Sequence, residues 1–140
     1  MKKILFAASE AVPFMKTGGL ADVTGSLPKY FDKKNYDVRV ILPKYVCMEE
    51  RWKGQLHFLC HFYVNLSWRK QYVGIFETTY DGITYYLVDN EFYFAGNAPY
   101  NNIYEDVEKF AFFSKAVLEA LPYLDFCPDI IHCHDWQTGL

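Results

Sequence analysis

Several things are scarce in this 140-residue chain, and each scarcity closes a class of function. No apolar run approaches the length of a membrane-spanning helix. The opening Met1-Lys2-Lys3 followed by Ile4 to Ala8 begins like an export signal, but the apolar stretch halts at Ser9–Glu10, too early for one. A cytoplasmic protein without membrane attachment is therefore expected. Basic charge is also thin: 14 Lys and Arg stand against 17 Asp and Glu, for a net charge of -3, and adjacent basic residues occur only at Lys2–Lys3, Lys33–Lys34 and Arg69–Lys70. That leaves no electrostatic footprint for nucleic acid. The four cysteines (Cys47, Cys60, Cys127, Cys133) form no CxxC pair and no evenly spaced framework, which suits reduced thiols in a sizeable core better than disulfides. Neither GxGxxG nor GxxxxGK[ST] occurs, so the familiar NAD and Walker patterns are absent. There is no internal repeat and no low-complexity tract.

What is present is a core. Apolar residues make up 51% of the chain, enough for one domain. Lys2 to Ala8 is almost continuously apolar, as in a strand buried on both faces. Leu20, Val23, Leu27, Tyr30 and Phe31 recur at helical spacing, predicting helix from about 20 to 33, with Pro28 either kinking it or starting a second helix capped by Ser26. Val38 to Leu42 is a second buried strand ended by Pro43, completing a βαβ unit. Leu56 to Leu66, Gln71 to Thr79 and Ile83 to Val88 read as hairpin strands, and Asn90 to Asn102 as a long surface loop. Val107, Phe110, Ala111, Ser114, Val117, Leu118 and Leu121 mark the apolar face of a helix, with Glu105 and Lys109 an i,i+4 ion pair outside it. Asp129 to Cys133 is a further strand opening into His134–Asp135–Trp136. The fold class is thus α/β: a Rossmann-like, mostly parallel sheet with helices on both faces and an added β-hairpin region. A parallel sheet wants a helix over that last strand, so the chain reads as part of a longer protein.

Chemistry is concentrated at Lys16 to Val23, KTGGLADV. Two glycines before a helix let backbone N–H groups face a ligand oxygen. The helix N-terminus and the Lys16 charge favour the same anion, so a phosphate cradle stands beside the simpler reading of a tight turn with Lys16 solvated. Asp22 sits in the first helical turn, where the dipole favours a carboxylate with or without a ligand. Of the row His132 to Asp135, alternate strand side chains point to opposite faces, so neighbours do not grip one metal. His134 and Asp135 do lie at the carboxyl end of a strand, as Lys16 does, and ligands of open parallel sheets bind along that edge. Most aromatics belong to the core; Tyr93, Tyr100 and Tyr104 in the loop are candidates for sugar stacking.

Three motifs, SEAVPFMKTGGLADVTGSLPK, YDVRVILPKY and PDIIHCHDWQTGL, in this order and spacing, closely resemble bacterial glycogen and starch synthases. The resemblance implies that residues 1–140 are the first part of the amino-terminal domain of a two-domain, retaining GT-B glycosyltransferase. Such an enzyme extends an α-1,4-glucan at its non-reducing end from ADP-glucose, without metal or redox cofactor. By position, Lys16 matches the family lysine on the donor phosphates, with Thr17, Gly18 and Gly19 shaping that pocket. Asp22 and Asp135 match acids on the sugar and acceptor side, flanked by His134 and Trp136. Gln137 departs from a common histidine, and Glu105 to Phe110 (EDVEKF) from a usual DNxxRF. The family's catalytic glutamate belongs to the second domain, so no catalytic residue is expected here and these residues alone are expected to be inactive. UDP-glucose as donor, or a non-catalytic nucleotide-binding module, are the alternatives.

Overall fold

The computed structural model describes residues 1–140. Six strands, β1 (Lys2–Ala7), β2 (Tyr36–Pro43), β3 (His57–Leu66), β4 (Arg69–Tyr80), β5 (Ile83–Asp89) and β6 (Ile130–Cys133), form one sheet in the order β3-β4-β5-β2-β1-β6. The block β5-β2-β1-β6 is parallel and the β3-β4-β5 edge antiparallel, as the continuous apolar runs and the hairpin-like runs respectively predict. Asp81 (φ 51°) and Gly82 (φ 79°) turn β4 into β5, two positive-φ residues suited to a two-residue hairpin.

Both faces of the sheet are covered. Leu5, Ala7 and Ile41 face one core with Phe110, Phe113, Ala116 and Val117 of helix α3 (Ile103–Ala120). Ile4, Phe6, Val40 and Leu42 face a second core with Ala11, Phe14 and Met48, against which Trp52 of the short helix α2 (Glu50–Lys53) packs. The chain adds β2 and β5 on one side of β1, then crosses through α3 to place β6 on the other side. That reversal opens a crevice at the carboxyl ends of β1 and β6.

Two helices differ from expectation in instructive ways. Helix α1 spans only Gly19–Ser26 and passes into a 3-10 turn at Leu27–Tyr30, with Pro28 near its start. Ser26 precedes that turn, but its side chain makes no capping bond. The buried face of α1 is Ala21, Thr24 and Gly25, while Val23, Leu27 and Tyr30 are exposed. Small residues win this face because the helix lies directly on Val12: a Cβ on Gly25 would sit 2.3 Å from Val12 Cγ2. In α3 the buried face is rotated from the one the spacing predicts. Asp106 and Lys109 are buried, whereas Val107 and Leu118 are exposed. Lys109 does not pair with Glu105; its Nζ donates to Pro99 O and Asn101 Oδ1, both at 2.8 Å, and lies 3.5 Å from Asp106 Oδ1. The segment 90–102 folds back over the start of α3 and supplies these oxygens. It is therefore not wholly a surface loop, since Tyr93 and Phe94 enter the core.

Candidate functional site

The segment after β1 carries the site. Ala8, Ser9 and Glu10 are fully buried as they leave the strand, and Tyr45 donates its hydroxyl to Ser9 O at 2.6 Å. Glu10 then turns its carboxylate under the glycine turn. It accepts from Thr17 Oγ1 (2.5 Å), Gly18 N (3.1 Å), Ala21 N (3.3 Å) and the Tyr100 hydroxyl (3.0 Å), while Glu10 O accepts from Thr24 Oγ1 at 2.6 Å. The anion favoured at the start of α1 is thus built into the chain, a protein carboxylate held by two amides and two hydroxyls. Sequence reasoning passed over Glu10. The only signal for it was a carboxylate placed directly after a buried strand and before a glycine turn.

Gly18 and Gly19 are shaped otherwise than a sharp turn requires. Neither has positive φ, and Gly18 is extended (φ -164°, ψ -162°). A Cβ on either would meet nothing within 4 Å. No neighbouring atom within residues 1–140 demands glycine there, and the space above the turn is open. Lys16 stands at the rim of that space, half-exposed and paired with Asp22 at 2.9 Å. An exposed pair of this kind is worth about 0 to 1 kcal/mol, so a multiply charged phosphate can take the lysine over.

The second stretch lies at the end of the neighbouring strand, where His134 N donates to Ala7 O at 3.0 Å. Asp135 has positive φ (65°) and accepts from Trp136 N at 2.8 Å, capping a 3-10 turn at Trp136–Thr138. The His134 ring is half-buried, 4.9 Å from Phe6 and 4.3 Å from His132 between ring centres, and its Nε2 has no partner. Burial first, then the neighbouring His132, push its pKa down. Gln137 Oε1 is also buried without a partner. Direct hydrogen bonds do not link this stretch to Lys16 or Asp22. The connection runs through rings: Tyr100 packs 5.9 Å from Phe110, and Phe110 meets Trp136 edge-on at 5.7 Å. Of the three tyrosines expected in the loop, Tyr104 in fact lies in the first turn of α3, while Tyr100 joins the site through Ser9 Oγ (2.6 Å) and Glu10, and burial above all holds its phenol protonated. Tyr93 instead stacks on Phe112 in the core, and Tyr104 is 89% exposed.

No three His, Cys, Asp or Glu side chains converge as a metal site, the four thiols are unpaired, and no helix is long and apolar enough to cross a membrane. Residues 3–140 match the family model described as the starch synthase catalytic domain. The chain belongs to that family. Its relatives include proteins named glycogen synthase from Lachnoclostridium phytofermentans, 69% identical over 140 residues, and Lachnospira eligens, 64% identical over 140 residues. In both cases all of this chain is covered, and it spans 29% of the relative's length. Among solved structures, the catalytic domain of starch synthase IV from Arabidopsis thaliana bound to ADP and acarbose superposes with a TM-score of 0.83 at 31% identity, covering 99% of this chain and 28% of that one. The six-stranded mixed sheet matches the amino-terminal, Rossmann-like half of that GT-B starch synthase catalytic domain.

Proposed function

We propose that residues 1–140 are the first part of the amino-terminal domain of a glycogen synthase, a cytoplasmic enzyme that transfers glucose from ADP-glucose to the non-reducing end of an α-1,4-glucan with retention. The observation that carries this reading is the glycine turn: a lysine at the rim of an open space over two glycines that nothing inside the chain requires. The whole-length likeness to proteins named glycogen synthase and to a neighbour bound to ADP supports it.

In this reading the donor diphosphate sits over Gly18 and Gly19, where the backbone can be approached without side-chain interference, and Lys16 leaves Asp22 for the phosphates. Cleavage of the glucosyl–phosphate bond places growing negative charge on the leaving ADP. A fixed cation stabilises that charge more in the transition state than in the ground state. Thr17 acts on the pocket from beneath, since its hydroxyl is committed to Glu10. Asp22, freed from Lys16, and Asp135 accept hydroxyl hydrogen bonds from the sugars, with His134 and Trp136 beside them. The catalytic glutamate comes from a second domain that closes over this edge.

Incorporation of labelled glucose into glycogen by the full-length enzyme, with ADP-glucose and UDP-glucose offered in parallel, tests the reading. Preference for ADP-glucose is the expected result. Incorporation from UDP-glucose alone, or from neither, would overturn it.

A further inference from the structure

Strand β3 ends the sheet on the side away from β6, and an end strand leaves every second N–H and C=O without a sheet partner. Outside the β3–β4 ladder only one group reaches that backbone, Lys115 Nζ at Asn65 O. We propose that this edge seats a second copy of the chain, joined antiparallel across a twofold axis so that the two sheets run on as one. The proposal is independent of the reading of the donor site.

Soluble proteins blunt a free edge with charge, proline or irregularity. His57–Leu66, HFLCHFYVNL, contains no Asp, Glu, Lys, Arg or Pro. Its irregularity is a bulge between Phe58 and Cys60, and from Cys60 to Leu66 the register is unbroken. The surface shown to solvent is apolar instead: Phe58 is 53% exposed, Leu59 40% and Tyr63 55%, and the turn after the strand holds Trp68 out at 85%. The strand's rings are also held in place. Phe58 stacks on His61 at 6.3 Å and His61 on Tyr72 at 5.8 Å, while Tyr63 packs edge-on against both His61 and Tyr72. A surface ordered in advance gives up little side-chain freedom on association. At about 150 to 250 Å² for each ring, the exposed fractions of Phe58, Tyr63 and Trp68 amount to on the order of 400 Å². That is half of the about 800 Å² per partner of a standard interface, and Leu59, His57, His61 and the strand backbone can supply the remainder.

The register follows from what is blocked. Asn65 O is taken and the strand bulges at Leu59, so the clear run is Cys60 to Val64, centred on Phe62. A twofold axis at Phe62 sets Phe62 against its own copy, Cys60 against Val64, and His61 against Tyr63. Cys60, Phe62 and Val64 then extend the core on the α3 side of the sheet. On the other side His61 and Tyr63 form, twice, the kind of aromatic cross-strand pair that stabilises a ladder. Parallel joining would instead lay the basic Arg69–Lys70 end of one copy beside the same end of the other. The crevice at β1 and β6 stays open in both copies. Strand β1 lies four strand spacings from β3, about 19 Å at about 4.8 Å each.

Sedimentation equilibrium of the full-length enzyme tests this. At about 10 μM, above the weak limit of about 1 μM for interfaces of standard size, the wild type should be a dimer. His61→Lys/Tyr63→Lys sets like charges opposite each other twice. Because both side chains are exposed, it should give a monomer with unchanged far-UV circular dichroism and a dissociation constant about tenfold to a hundredfold larger. His61→Lys/Tyr63→Glu alters the same two positions but sets opposite charges face to face, so the dimer should return. Val64→Cys places a thiol opposite Cys60 of the second copy, at about 4.5 to 5.5 Å between Cα atoms, within disulfide range. Oxidation of that variant should give a covalent dimer that Cys60→Ala abolishes. A wild type that stays monomeric, as it would if the chain's own continuation covers β3, would overturn the proposal. So would a dimer that both double variants leave intact, or a crosslink that persists without Cys60, since either puts the contact elsewhere.

Discussion

Glu10 and Tyr100, 90 residues apart, meet at 3.0 Å beneath the glycine turn, and that contact ties the loop after β1 to the segment before α3. The carboxylate there accepts from two amides and two hydroxyls, all shielded by Tyr45 and the start of α1. Removing it strands the amides of Gly18 and Ala21. Glu10→Ala is therefore expected to lower stability by about 2 to 4 kcal/mol, and Tyr100→Phe by about 1 kcal/mol. Urea unfolding of the two single variants and the double variant checks this. Because the groups share one network, the double variant should lose less than the sum. Additive losses would show that the two side chains act independently.

The three glycines around α1 should separate stability from ligand use. A Cβ on Gly25 would lie 2.3 Å from Val12 Cγ2 and 2.6 Å from Val12 O, and the backbone oxygen cannot rotate away. Gly25→Ala should cost a few kcal/mol, on the order of other overpacked sites. Gly18→Ala and Gly19→Ala meet open space at ordinary φ, so their stability should change by about 1 kcal/mol at most, in either direction. Their ADP-glucose KM should nonetheless rise. Thermal melts paired with donor kinetics read both effects, and an unchanged KM in both variants would remove the open space from the donor site.

Lys16 makes a complementary case. Its pair with Asp22 is exposed on both sides, so Lys16→Gln should leave stability within about 1 kcal/mol. If the lysine stabilises charge on the departing ADP, the same change should lower kcat/KM for ADP-glucose by one to a few powers of ten, each worth about 1.4 kcal/mol. Donor kinetics equal to wild type would refute that role.

How far the sequence could be read depended on whether a signal was local. The strands were legible because a buried parallel strand is one unbroken apolar run, as in Ile4 to Ala8 and Val38 to Leu42, and the Asp81–Gly82 turn announces its hairpin. Periodicity misled where small or charged residues were buried. Ala21 and Gly25 make the inner face of α1 because they allow close approach, and Lys109 is buried because a distant segment brings it carbonyl oxygens. Lys16, Asp22 and the HDW stretch stood out as candidates because each sits in a contiguous motif. Glu10 did not, since its role depends on how the glycine turn closes over it and on Tyr100, 90 residues away, reaching its carboxylate.

The last expectation concerns acid. His134 is half-buried against Phe6 and His132, and burial together with that second imidazole disfavours its charged form, so its folded-state pKa lies below the ordinary 6.5. In the window beneath that value the unfolded chain binds a proton that the folded chain refuses. Stability must therefore rise with pH through this window and be lost as pH falls through it, with the full penalty in place once the pH is below the folded value. Urea midpoints measured from pH 5 to 8 should show the fall on the acid side, and His134→Gln should flatten it by removing the titrating group. A midpoint that climbs as the solution is acidified, or a slope that survives in His134→Gln, would mean that the proton uptake limiting the fold belongs to another residue. An imidazole NMR titration would find His134 itself titrating below 6.5 if the buried ring is the source.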